Sequence, residues 1–245
     1  MHIINPIKNH KYTRPLDIHL TTNHFQIKEL VDVLYDKYLN GRKKEITKKH
    51  LKLLLLDLYV AWCTDPNLEI GVYMSPKSYE TIKRYNQFYI TKTMTDLLTE
   101  LRNNNLIGLQ KGLDSNQRVL YVRTDTSLEN YFKKIKLSVF DIKQNTEIIV
   151  LRDNKKNEID YIDDTKTTDM RKVLDKYNEI LRQTFIDIPF LEKPYIQYKG
   201  KKYTVNQHSK LVRRIFSKGS FSKGCRYYGG WWQSIGEKQR EKILM

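Results

Sequence analysis

Two groups of residues have the types and spacing to do chemistry. The first is FSKGSFSKGCRYYGGWWQSIG, Phe216 to Gly236, where five glycines, two lysines, one arginine and six aromatic residues share 21 positions. Lysine and arginine neutralise phosphates and aromatic faces stack on bases, so cations interleaved with rings are the usual grip on a nucleic acid. The same composition suits a loop that tucks its rings into a core, which alone would account for Trp231 and Trp232. The second group is the acidic trio Asp160, Asp163 and Asp164. Their carboxylates are the hard oxygen donors a divalent cation wants. The plainer reading is a solvated loop whose negative charge favours the N-terminus of the next helix.

Other chemistry is hard to find. No G-x-x-x-x-G-K-[ST], G-x-S-x-G or H-E-x-x-H motif occurs, and none of the six histidines stands at metal-ligand spacing from another. Cys63 and Cys225 lack any C-x-x-C partner, which argues against a zinc site and a disulfide framework and fits a reducing cytoplasm. No apolar run approaches the length needed to cross a bilayer, and the start MHIINPIKNHKYTRP lacks the apolar core of a signal peptide. A protein neither exported nor embedded in a membrane is expected.

The net charge of +16 points to a polyanionic partner, and its distribution sharpens the point. Residues 193–245 hold 13 lysines and arginines against two glutamates, together with nine aromatic residues between Tyr195 and Trp232, whereas residues 141–192 are net acidic.

The elements that must carry these residues follow from periodicity. NHFQIKELVDVLYDKYLNGRKK spaces its apolar residues as a helix and stops at Asn40-Gly41; a second helix starts near Thr47 as N-cap and is apolar almost all round. Pro66 and Pro76 bracket a short extended connection, SYETIKRYN is a short helix capped by Ser78, and ITKTMTDLLTELRNNN is a longer one. Its stripe is Ile90, Met94, Leu97, Leu98 and Leu101, with Lys92, Thr93, Thr95, Asp96, Thr99 and Arg102 outward. LIGLQKGLDSNQRVLYVRTD alternates around a Leu113–Asn116 turn, as a β-hairpin does. Helices followed by a hairpin is the order of a winged helix, whose last helix enters the major groove while the wing, here with Lys111, Arg118 and Arg123, reaches phosphates. A winged helix used only for protein contacts is the alternative.

Beyond Val139 the pattern changes. EIIVLRDNKKNEIDYIDD reads as two strands around a polar turn, and TTDMRKVLDKYNEILRQTF as an amphipathic helix with Met170, Val173, Leu174, Tyr177, Ile180, Leu181 and Phe185 on its apolar side. YIQYKGKKYTVN is a hairpin turning at Gly200. NQHSKLVRRIF is a short helix with Lys210, Arg213 and Arg214 outward.

The segment GCRYYGGWWQSIG, with Arg240 beyond it, resembles a region of family A DNA polymerases in which a Gly-Arg pair and an N-L-Q-N-I-P stretch precede the first catalytic aspartate. Gly224 and Arg226 stand for the Gly-Arg pair, with Cys225 inserted, and WWQSIG for the second stretch. From about residue 45 onward the chain is also similar to proteins of phages and mobile elements that join a winged helix, an LRD…DY.D segment and a GGR.YGGWWQ motif to a polymerase-like palm. The resemblance implies that Arg226 and Gln233 lie against a primer-template duplex. Glycines at 219, 224, 229 and 230 would let the backbone approach it. In the resembling proteins the palm's metal-binding aspartates follow this point, which implies either a truncated or split coding sequence with the palm on another polypeptide or a remnant that binds without catalysing; no cofactor is expected in this chain, and magnesium only with a palm supplied elsewhere.

The expectation is therefore an α+β chain in three parts: a helical segment over residues 1–45, a winged-helix-like domain over 46–138, and an α+β region over 139–245 ending in the basic aromatic segment. The expected function is DNA binding in phage or mobile-element replication, without catalysis by this chain alone. A winged-helix transcription regulator or plasmid-type replication initiator is the alternative, and an RNA-binding or ribosome-associated protein a third reading. The candidate nucleic-acid contacts are Lys92, Arg102, Lys111, Arg118, Arg213, Arg214, Lys218, Lys223, Arg226, Tyr228, Gln233 and Arg240.

Overall fold

The computed structural model describes residues 12–73, 83–85, 91, 93–111, 119–189 and 191–244, with the backbone alone of Lys83, Lys111 and Val139. Its mixed α+β architecture has two main apolar cores. Of the Ser78-capped helix only Lys83–Tyr85 are described, as a 3₁₀ turn; the rest of it, the Leu113–Asn116 turn and Ile90 lie outside the described residues.

The first core is built around one helix. Two short strands, β1 (Thr13–Pro15) and β2 (Leu20–Thr21), lead into α1 (Phe25–Leu34), which runs on as a π-helical turn over Tyr35–Leu39. Gly41, at φ 97°, takes the left-handed backbone that ends this unit. Helix α2 spans Lys44–Thr64, so it begins three residues before the expected start; Thr47 is not the cap but a buried residue within the first turns. From Leu51 to Leu58 every residue except Lys52 is buried, as the nearly continuous apolar sequence requires.

Strand β3 (Glu69–Tyr73) follows, then α3 (Thr93–Asn103), β4 (Ile107–Lys111) and β5 (Val119–Thr124). The sheet order is β1-β3-β5-β4, with β1 parallel to β3 and the remaining pairs antiparallel. In α3 the residues Met94, Leu97, Leu98 and Leu101 are buried as their spacing demands, but Thr95, expected outward, is buried as well. The helix ends where the three asparagines stand: Asn105 adopts φ 54° and the Leu106 amide reaches back to the Leu101 carbonyl. Helix α4 (Thr126–Phe132), capped by Asp125, closes this core by setting Phe132 edge-on to Tyr59, with ring centres 5.2 Å apart.

The second core begins after a 3₁₀ turn over Val139–Asp141 and strand β6 (Lys143–Gln144), which pairs back with β2. Strand β7 (Ile149–Leu151) is regular, but the second expected arm of that hairpin contributes only an Arg152–Glu158 bridge; Asp153 turns the chain by accepting from the amides of Lys155 and Asn157. Helix α5 (Thr165–Gln183) is capped by Asp164, whose carboxylate accepts from the Thr167 amide while the Thr167 hydroxyl accepts from the Asp164 amide. The β8 (Tyr195–Tyr198) and β9 (Lys201–Thr204) hairpin turns at Lys199 and Gly200, both at positive φ, the geometry a right-twisted two-residue hairpin favours.

Residues 212–216 differ from expectation. They form strand β10 (Val212–Phe216), not a helix, paired antiparallel to β11 (Cys225–Gly229) and parallel to β7. The run Val-Arg-Arg-Ile-Phe suits a strand through its β-branched residues, and the partner strands that satisfy its backbone lie roughly ten or some sixty residues away in sequence, beyond any local periodicity. Where β7 falls short, the Asn178 side chain completes the ladder, donating to the Val212 carbonyl (2.9 Å) and accepting from its amide (2.8 Å). A 3₁₀ turn over Trp231–Ser234 and the short helix α6 (Glu237–Arg240) complete the described chain. Among the described residues no helix is long and apolar enough to cross a membrane.

Candidate nucleic-acid interface

Strand pairing decides where the cations of the basic segment point. In an antiparallel pair, directly opposed residues share a face. Arg213 opposes Tyr228 and Ile215 opposes Arg226, so Arg213, Arg226 and Tyr228 project from one face of the β10–β11 ribbon. Arg214 opposes Tyr227, and these two project from the other face, beside α5. The expectation that Arg213 and Arg214 point outward together from a helix is thus corrected: adjacent strand residues alternate sides. Strand β11 lies at the edge of its sheet, and Tyr227 and Tyr228 are 55% and 43% exposed.

Lys218 and Lys223 are exposed in the loop that joins the two strands, and Arg226, Gln233 and Arg240 are exposed too. Arg240 donates to the Ile235 carbonyl at 3.1 Å, so part of its guanidinium holds the chain. Gln233 lies on the α5 side, its Oε1 accepting from the Gly229 amide at 3.0 Å. Arg226 and Gln233, which the polymerase resemblance puts together on one duplex, therefore sit on opposite sides of the ribbon. In the first half of the chain Arg102 is exposed at the end of α3, far along the chain from the ribbon. Lys92, Arg118 and the Lys111 side chain lie outside the described residues.

Lys210, expected outward, is buried, its ammonium donating to the carbonyls of Thr184 (2.6 Å) and Arg182 (3.2 Å). There it satisfies the carbonyls at the end of α5 and is favoured by their partial negative charge. Burial lowers its pKa.

The tryptophans divide. Trp231 is buried in the second core, as the plain reading of the segment requires, whereas Trp232 is half-buried and lines a groove beside α5. Two of the glycines are explained by the protein itself. A Cβ on Gly229 would lie 1.9 Å from the Leu211 carbonyl oxygen, and one on Gly230 would lie 2.5 Å from the Trp232 ring; both have positive φ. A Cβ at Gly224 would meet nothing within 4 Å, so that position leaves the backbone open to an approaching ligand.

The acidic trio is engaged by protein groups. Asp164 caps α5, in keeping with the helix-terminus reading. Asp160 and Asp163 are exposed, as a solvated loop requires, and are paired as well: Arg84 bridges Asp160 (2.7 Å) and Asp163 (3.2 Å), and Arg171 bridges Asp163 (2.8 Å) and the buried Glu147 (3.1 Å). The Arg84 guanidinium also lies over the Tyr161 ring at 3.9 Å. Hydrogen bonds from these arginines hold the carboxyls of Asp160 and Asp163 below the usual range. Arg84 belongs to the 3₁₀ turn Lys83–Tyr85, and Tyr85 packs with Val150 and Ile215, so the cluster fastens that turn to the second sheet. Among the described residues no group of three or more His, Cys, Asp or Glu side chains is arranged to hold a metal ion.

Sequence reading overlooked the groove between α5 and the ribbon. Met170, Val173, Tyr177, Tyr227 and Trp232 line about 1050 Å³ of space there, with Lys166, Arg214 and Gln233 at its polar positions. The signal was present in the α5 stripe, which has more apolar residues than its core needs: Leu174 and Leu181 are buried, while Val173, Tyr177 and Ile180 are 71%, 48% and 62% exposed. No family model matches the chain, and no curated protein and no solved structure is significantly similar to it.

Proposed function

We propose that this chain binds nucleic acid through the β10–β11 ribbon and serves as a non-catalytic, DNA-binding component of phage or mobile-element replication, working in the cytoplasm beside a polypeptide that carries the catalytic palm. One observation carries the reading. An edge ribbon presents Arg213, Arg226 and Tyr228 on a single face, with Lys218 and Lys223 exposed in its connecting loop. Guanidinium and ammonium groups there meet phosphates, and the tyrosine offers a ring to a sugar or base, giving grip without sequence preference. The concentration of net charge in residues 193–245 supports a polyanionic partner. The free thiols of Cys63 and Cys225 accord with a reducing compartment. The assignment to replication rests on the polymerase-like segment, and any magnesium chemistry would belong to the palm.

The first core supports a winged-helix reading. Its order of α2, β3, α3 and the β4–β5 hairpin, with β5 between β3 and β4, is the order that fold uses. In that reading α3 faces the major groove with Arg102 at its end, and the β4–β5 hairpin is the wing. A site-specific regulator or initiator would rely on this half of the chain instead of the ribbon.

The test is fluorescence anisotropy on a primer-template DNA across a salt series. Arg213→Ala with Arg226→Ala should weaken binding about tenfold or more and reduce the slope of log K against log salt by about two, one for each phosphate that the variant no longer neutralises. Unchanged affinity and slope in a folded double variant would overturn the ribbon assignment. Strong preference for one duplex sequence that survives these substitutions would move the function to the first half of the chain.

A further inference from the structure

Given the ribbon reading, on which this inference rests, we infer that the groove between α5 and β11 receives unpaired bases of a nucleic-acid strand whose phosphates follow the ribbon. Four observations converge on it. Rings from three separate elements line the groove: Tyr177 from α5, Tyr227 from β11 and Trp232 from the following 3₁₀ turn. Bases stack on such rings whatever their identity, because every base has a π-face.

The polar groups are those a base and its phosphate use. The Arg214 guanidinium lies 4.8 Å from the Phe216 ring centre and 5.7 Å from that of Tyr227, a cation held among aromatic faces. Gln233 has its carbonyl oxygen fixed by the Gly229 amide, which orients the side chain and leaves its NH₂ without an acceptor among the described residues. That NH₂ is a donor for the edge of a base. Lys166 and Arg214 outnumber the one lining carboxylate, Asp169, so the groove favours an anionic strand.

The edge position of β11 supplies the route. A strand crossing that edge meets Arg226 and Tyr228 on one side and Tyr227 on the other, since neighbouring strand residues alternate faces. The space is also adequate: about 1050 Å³ matches the upper range of small-molecule pockets and exceeds what one base requires. Val173, exposed on the same helix as Tyr177 and lining the same groove, adds apolar surface that unstacked bases would cover.

The experiment compares three ligands of equal length on the full chain: an ordinary oligothymidine, an abasic strand with the same phosphates, and a blunt duplex. Tyr177→Ala with Tyr227→Ala is tested beside Arg226→Ala, with circular dichroism and thermal melting as checks on folding. The wild type should bind oligothymidine about tenfold or more tighter than the abasic strand, a preference the tyrosine double variant should lose while its salt slope stays unchanged. Trp232 fluorescence should change on adding oligothymidine and not on adding the abasic strand. Equal wild-type affinity for ordinary and abasic strands would overturn the inference. So would oligothymidine binding that is insensitive to the tyrosine substitutions, the result expected if the groove holds an apolar segment of a partner protein. In either case, duplex binding that still depends on Arg226 leaves the ribbon reading standing. Failure to bind any of the three ligands would remove both.

Discussion

The two cores of this protein use their apolar residues in opposite ways. In α2 the side chains from Leu53 to Leu56 are all buried, and α3 and α4 cover what the sheet does not. In α5, a helix of nearly the same length, Leu174 and Leu181 face inward while Val173, Tyr177 and Ile180 face water. The contrast separates residues that make the fold from residues that remain available to a ligand. Exposed aromatic and aliphatic side chains beside a groove have no folding role that burial would explain, and such patches usually mark a binding surface. Cations too are either consumed by the fold, as Arg84, Arg171 and Lys210 are in the second half of the chain, or left available. Arg14 in the first core is consumed by Asp57, with Nη2–Oδ1 at 2.6 Å and Nη1–Oδ2 at 2.9 Å, whereas Lys218, Lys223 and Arg226 stand exposed.

Breaking the buried pair should have the largest effect. Asp57→Ala strands the Arg14 guanidinium in a site with little access to water and should cost about 3–5 kcal/mol in denaturant unfolding. A loss below about 1 kcal/mol would mean that water or another group takes over the carboxylate's place. Next is the close approach at the end of the ribbon. Gly229→Ala sets a methyl against the Leu211 carbonyl at a positive φ and should destabilise by about 2 kcal/mol or more, whereas Gly224→Ala should stay within about 0.5 kcal/mol. Equal effects at the two glycines would refute the ribbon geometry.

Acidification sharpens the comparison where the two cores meet. Burial, helped by the positive charges of Arg14 and Lys210, pushes the His208 imidazole down to about 4. The unfolded chain therefore takes up a proton near pH 6.5 that the folded chain refuses until about pH 4. Stability from this residue is full above about pH 6.5 and falls as pH drops toward about 4, by about 1–3 kcal/mol. Burial lowers His19 and His50 in the same direction. Urea midpoints measured from about pH 7.5 to about 4.5 should decline, and His208→Gln should flatten the decline; an unaltered slope would show that His208 is hydrated in solution. The smallest effect belongs to the exposed stripe. Val173→Ala should shift stability by no more than about 0.5 kcal/mol, because that side chain already meets water, and a core-sized loss would mean the groove is closed in the free protein.

Much of the fold was legible in the sequence. Helices α1, α2, α3 and α5, the β4–β5 pairing and the Lys199-Gly200 turn follow from period, caps and turn chemistry, all of which act within a few residues. Helix α4 went unread although Asp125 signals its start, because seven residues carry too little periodicity to stand out. Residues 212–216 were misread for a related reason. A short Val-Arg-Arg-Ile-Phe run fits either period, and only pairing with β7 and β11 selects the strand.

The amino-acid sequence by itself determined that cations and rings are concentrated in one segment, since composition and charge need no coordinates. Which of them face outward was decided by tertiary structure alone. A strand gives alternate residues to opposite sides, so one register sent Arg213 and Arg226 to one face and Arg214 to the other, while the end of α5 captured Lys210 altogether. Those partners lie up to some sixty residues away, and no local pattern encodes a contact whose second half is supplied by a distant part of the chain.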